Sequence, residues 1–175
     1  MIRILSIRNR QRAQPIDAPL LRRITKTLLR EDLDIPSYEL GIHLLDAEEM
    51  AMINETFLQH QGSTDVITFD HAESAGHEAK NPGPGPRDLH GEIFLSVPDA
   101  MRQAREFKTT WQGEVIRYVI HGLLHLMGHD DIEPAARRSM KRAENQFVKR
   151  MAAVFPLSKL ARQPKGKRSG SKRKG

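Results

Sequence analysis

Apolar residues recur along this chain with two different periods, and the periods divide it into elements. Residues 2–8 alternate and predict a strand. Residues 18–31, APLLRRITKTLLRE, put Leu20, Leu21, Ile24, Leu28 and Leu29 on one helical face. YELGIHLL (38–45) alternates again as a strand, and DAEEMAMINETF then opens with Asp46 and Glu49 at capping-box spacing, so a helix is expected to begin there. TDVITF (64–69) is short and β-branched, a third strand; GEIFLSV (91–97) is a fourth, with Pro98 suited to the first turn of a following helix. Two further helices fit 112–127 and 133–154. Between His71 and Asp88 the chain is polar and rich in Gly and Pro, which predicts a long loop. The order β-α-β-α-β-β-α-α-α predicts an α+β fold: a small mixed four-stranded sheet backed by helices.

The helix over 112–127 carries the chemistry. Val115, Ile116, Val119, Ile120, Leu123, Leu124, Leu126 and Met127 cover almost its whole circumference, the mark of a buried helix. One stripe is different: Glu114, Arg117/Tyr118, His121 and His125 follow at steps of three and four. Burying two imidazoles one turn apart is costly unless something satisfies them, and a divalent metal does so. Gly128 follows at a position where a helix can end in the left-handed conformation, letting the chain double back. The pattern H-x-x-x-H-x-x-G-x-x-D therefore offers two helical ligands and a third from the returning chain. Asp131 completes that spacing, while His129 is the chemically more usual donor; the alternative is a pair of satisfied core histidines beside a polar helix end. The cleft is expected at the C-terminal end of the buried helix. A zinc protease helix would carry H-E-x-x-H, with the glutamate as general base, but position 122 is glycine, so peptidase activity is disfavoured.

Composition changes the picture in two ways. With no cysteine among 175 residues, disulfides, thiolate zinc sites and a cysteine nucleophile are excluded. The net charge of +6 is mostly terminal: Lys159 to Gly175 holds eight Lys/Arg and no acid, which leaves 20 basic against 22 acidic residues in the rest. The sequence thus divides into a domain over 1–158 and a basic tail over 159–175, expected to be disordered and to attract phosphates without reading sequence. A merely solubilising terminus is the plainer alternative. Lys165, Lys167, Arg168, Lys172, Arg173 and Lys174 are the tail cations, and Arg117 is a further candidate for contact with RNA. The N-terminus has no signal-peptide pattern and no stretch is apolar enough to span a membrane, so a cytoplasmic protein is expected.

Three ordered blocks resemble the YbeY family of metal-dependent endoribonucleases. HGLLHLMGHDD (121–131) is similar to the family's H-G-x-L-H-L-x-G-Y-D-H, STDVITFD (63–70) to P-T-D-V-L-S-F, and GEIFLSVPDA (91–100) to a G-D-I-x-I-S strand leading into a helix. The resemblance covers roughly residues 2–154. It implies an α+β domain holding one zinc-like ion per chain in a cleft and cleaving single-stranded or loop RNA in ribosomal RNA maturation and ribosome quality control. Ribosomal RNA and ribosomal particles are then the implied partners, with no membrane and no small-molecule cofactor. The family's third histidine falls on Asp131, and its usual tyrosine on His129. A carboxylate there leaves the site more open to manganese or another hard ion. Leu58 stands where many members carry a basic residue.

Other residues carry two readings. Asp65, at a strand start, is either a capping acid or a cleft residue orienting water, RNA or a ligand. Glu114 and Arg117 form an i, i+3 ion pair or a layer behind the metal ligands. His43, inside a strand, reads as packed or surface rather than as a ligand. Phe107 and Trp111 are too few, and too near helix starts, to read as a base-stacking platform. Alongside the nuclease, a ribosome-assembly factor with a structural metal and RNA binding without cleavage fits the same residues.

Overall fold

The computed structural model describes residues 1–71 and 88–162. Strand β1 (Arg3–Asn9) leads to helix α1 (Ala18–Thr27), whose last turn widens over Leu28–Asp32. Strand β2 (Tyr38–Leu45), helix α2 (Ala47–Ile53, continued by a wide turn over Asn54–Leu58), β3 (Val66–Asp70) and β4 (Leu89–Ser96) follow. Three helices complete the chain: α3 (Val97–Phe107), α4 (Trp111–Leu126) and α5 (Pro134–Val154). The element order is the predicted one.

The sheet runs β1-β2-β4-β3, with β1, β2 and β4 parallel and β3 antiparallel to β4. Leu40, Ile42, Leu44, Ile93 and Leu95 face the main core, where they meet Leu21, Ile24 and Leu28 of α1 and Val119, Ile120 and Leu123 of α4. The opposite face is covered at one end, where Leu45 and Ile67 pack on Met50 of α2. Helix α4 lies so close to the sheet that a Cβ at Gly122 would stand 2.8 Å from Ile93 Cγ2. Glycine at 122 therefore sets the helix-to-sheet distance, and no glutamate fits beside His121.

Local chemistry sets the helix starts. Asp17 accepts from Leu20 N at 2.8 Å, Ser96 caps α3 through Asp99 N at 3.2 Å, and Thr110 caps α4 through Gly113 N at 3.1 Å. The capping box expected at Asp46 does not form. Its carboxylate accepts instead from Arg12 N at 3.2 and 3.3 Å, tying the chain after β1 to the start of α2. Two partners compete for one carboxylate, and the one distant in sequence prevails.

The residues around position 158 pack on the body. Leu157–Leu160 forms a short helical turn, Leu160 is fully buried, and Arg162 N donates to Pro15 O at 2.9 Å. The tail cations Lys165, Lys167, Arg168, Lys172, Arg173 and Lys174, and most of the 71–89 loop, lie outside the described residues. No helix among the described residues is long and apolar enough to cross a membrane.

Candidate metal centre and adjoining pocket

Helix α4 delivers both histidines from one face, and its ending delivers the third group. Gly128 has φ 88°, the left-handed conformation that glycine adopts without a Cβ penalty. Gly128 N donates to His125 O at 2.8 Å and His129 N to Leu124 O at 3.0 Å, closing the helix and turning the chain back. Arg137 of α5 then pins the returning loop, donating to the carbonyls of Asp131 and Ile132 at 3.0 and 3.3 Å.

The result is a compact donor set. His121 Nε2 and His125 Nε2 are 2.9 Å apart, and Asp131 carboxylate oxygens lie 4.0 and 3.9 Å from them. One ligand atom from each residue falls within 4.8 Å of the others, a spacing that could hold a metal ion. His129 contributes differently: its backbone carbonyl accepts from His125 Nδ1 at 3.1 Å. On the other imidazole, His121 Nδ1 donates to Glu144 Oε1 at 2.6 Å. With both Nδ1 atoms donating, the neutral rings aim two Nε2 lone pairs at one another. A cation between them resolves that repulsion, so the residues present fit a divalent ion with nitrogen and oxygen preference.

The electrostatics set the two rings apart. Burial pushes both histidines down, but Glu144, and more weakly Asp65 and Asp131, hold His121 above its usual value. His125 stays below it, through burial and the neighbouring charge on His121. His129 is also lowered, by burial.

Glu144 escaped the sequence reading. It lies on the inward stripe of α5 with Met140 and Met151, and a buried acid in such a stripe is the same signal that exposed the histidines. Arg117 makes the expected pair with Glu114 at 3.5 Å, but also reaches Glu144 Oε2 at 3.5 Å and donates to Asn145 Oδ1 at 2.7 Å. It therefore stands behind the histidines and clamps the carboxylate that orients His121.

A cavity of about 420 Å³ opens beside the donors, lined in part by Asp65, His121, Asp131, Glu144, Arg117 and Lys141. Asp65 directly precedes β3 and also lines the cavity. Its Oδ1 accepts from Val66 N at 2.9 Å, while Oδ2 faces Gln103 Nε2 at 3.4 Å on the cavity wall. Asp99 secures that segment: Ser63 Oγ donates to it, and Arg102 pairs with it at 2.8 Å. Phe107 ends α3 rather than standing near a helix start, is 62% exposed, and lines the same cavity. Leu58 is exposed at the end of the turn after α2 and does not line the cavity. His43 is packed as expected, stacked on Phe94 and 2.9 Å from Glu92.

A mixed sheet bearing a two-histidine, one-carboxylate cluster that could hold a metal ion, beside a cavity, defines an α+β protein with a candidate metal centre. The chain belongs to the family described as Endoribonuclease YbeY, whose sequence model matches residues 6–152. It is 31% identical over 152 residues to the Endoribonuclease YbeY of Salinibacter ruber, covering 87% of this chain and 92% of that one. It is 32% identical over 149 residues to that of Syntrophotalea carbinolica, covering 83% and 95%. A solution structure from Thermotoga maritima shares the fold, with TM-score 0.61 at 24% identity, over 94% of this chain and all of that one.

Proposed function

We propose that this protein is a single-strand-specific endoribonuclease of ribosomal RNA maturation and ribosome quality control, using one zinc-like ion held by His121, His125 and Asp131. The convergence of two Nε2 lone pairs and a carboxylate on one point carries the reading. When bound, such an ion supplies Lewis acidity toward a phosphoryl oxygen and lowers the pKa of a nearby water. Zinc suits the imidazoles, and Asp131 widens the choice to manganese.

The chain's own residues do the positioning. Glu144 and the His129 carbonyl fix both imidazole tautomers and ring planes. Arg137 holds the Asp131 loop from the backbone, leaving the carboxylate free to ligate. Asp65 Oδ2 is the acceptor on the cavity wall at which a water or ribose hydroxyl is oriented. Arg117 and Lys141 bring positive charge to the cavity, and the cations from Lys165 to Lys174 add a salt-sensitive attraction to RNA. That charge draws the protein to ribosomal particles, on which it acts in the cytoplasm.

The test is metal content and cleavage of a single-stranded RNA by wild type, His125→Ala and Asp131→Ala. Metal and cleavage lost together in both variants support the reading. Metal bound with no cleavage by wild type replaces it with the RNA-binding assembly factor. A 5′-phosphate product implies attack by water, and a 2′,3′-cyclic phosphate attack by the ribose 2′-hydroxyl.

A further inference from the structure

The cavity beside the donors contains a group that the metal chemistry does not use. Tyr118 lies on α4, three residues before His121 and on the same stripe, and is 2% exposed. It lines the cavity, yet its hydroxyl is buried with no hydrogen-bond partner. A buried hydroxyl without a partner costs stability, so a ligand that satisfies it offsets that cost. Burial, helped by the charges of Asp65, Glu114 and Asp99 and only partly opposed by Arg102, raises the phenol far above its ordinary range and keeps it protonated. Each of these acids is already engaged: Asp65 by Val66 N, Glu114 by Thr109 and Arg117, Asp99 by Ser63 and Arg102.

That floor has a definite preference. Beside the hydroxyl itself, the carboxylates outnumber the one arginine that opposes them, which favours an incoming N–H donor over a carbonyl edge, and the phenolic oxygen can accept it. Phe107 offers an exposed aromatic face at the wall, and Lys141 a cation on the same lining. The volume, about 420 Å³, is of small-ligand size.

We propose that this pocket is a subsite for one nucleobase bearing an exocyclic amino group, with Tyr118 as its specificity-determining residue and Phe107 as its stacking wall. The proposal rests on the RNA reading of the metal centre. It makes cytosine preferred over uracil next to the metal, because the two rings differ in presenting an amino donor or a carbonyl acceptor at one position.

Calorimetric titration of the metal-loaded full chain with cytidine and uridine 5′-monophosphates tests it. Wild type is expected to bind the cytidine nucleotide about tenfold more tightly, the worth of one net hydrogen bond. Tyr118→Phe is expected to abolish the ratio while its Tm stays equal or rises, since it deletes a hydroxyl that no protein group satisfies. Phe107→Ala, at an exposed position, is expected to weaken both nucleotides alike. Equal affinities in wild type, binding of neither nucleotide, a ratio that survives in Tyr118→Phe, or a Tm that falls in it each overturn the proposal. A chain that discriminates but cleaves nothing retracts the nuclease and keeps the subsite. One that cleaves without discriminating does the reverse.

Discussion

His121 Nδ1 donates to Glu144 Oε1 at 2.6 Å, a bond between α4 and α5 that spans 23 residues of sequence. It fixes the ring so that Nε2 points at His125, and it supplies the negative charge that a metal-bound imidazole favours behind it. Glu144→Ala is expected to lower metal affinity by about 10–100-fold, the usual cost of losing such a partner. Glu144→Gln, which still accepts the hydrogen bond, should lose less. Competition with a chromophoric chelator measures both; equal loss in the two variants would assign the effect to charge alone.

Asp131 and His129 separate by their backbone roles. His129 holds His125 through its carbonyl, which a side-chain change leaves in place. His129→Ala is therefore expected to keep about one metal per chain, and Asp131→Ala to lose it. Elemental analysis after dialysis decides; the reverse pattern would make His129 the ligand.

Two glycines hold the geometry for different reasons. Gly128→Ala forces a side chain into φ 88°, costing about 1–2 kcal/mol and loosening the Asp131 loop. Gly122→Ala sets a Cβ against Ile93 and should cost about 1–3 kcal/mol by overpacking. Thermal unfolding checks both. Metal affinity separates them, because only Gly128 makes the turn that brings Asp131 back toward the two histidines.

Leu160 tests where the domain ends. It is fully buried, so Leu160→Ala is expected to cost about 2–5 kcal/mol. Removal of residues 163–175 should leave Tm unchanged and flatten the salt dependence of RNA binding, since it deletes six cations. A large Tm loss on that truncation would contradict the boundary.

Asp99 gives the fold an acid-sensitive joint. Burial raises its pKa, but hydrogen bonds from Ser63 and Ser96 and the Arg102 charge outweigh that and hold it below the ordinary value. A carboxylate depressed in the folded state contributes stability that is fully present above its unfolded pKa, about 3.9. That contribution is lost as pH falls through the lower, folded value. Asp99→Asn should thus be less stable than wild type at neutral pH by about 1–3 kcal/mol. The gap should close in acid, as urea midpoints across that range will show.

Much of the fold was legible because its signals are local. Periodicity and local composition located the four strands and helices α1, α2, α4 and α5 to within a few residues, while α3 was marked only by Pro98 in its first turn. The stripe on α4 marked His121 and His125, and the glycine spacing brought in Asp131. Asp46 shows the limit: its local capping partner loses to Arg12, which only the packed chain brings near.

The amino-acid sequence by itself determined the element order, the buried helix and the pairing of His121 with His125, and offered Asp131 or His129 as the third donor, since each follows from side chains a few positions apart. The tertiary structure alone decided the strand order, the Glu144 bond, the Asp99 joint and the pocket around Tyr118. These are pairings between distant segments: strand against strand in the sheet, α5 against α4 at Glu144, and Ser63 before β3 against Asp99 of α3. Hydrophobic burial drives that closure without direction, so periodicity predicts that surfaces meet but not which polar atoms they bring together.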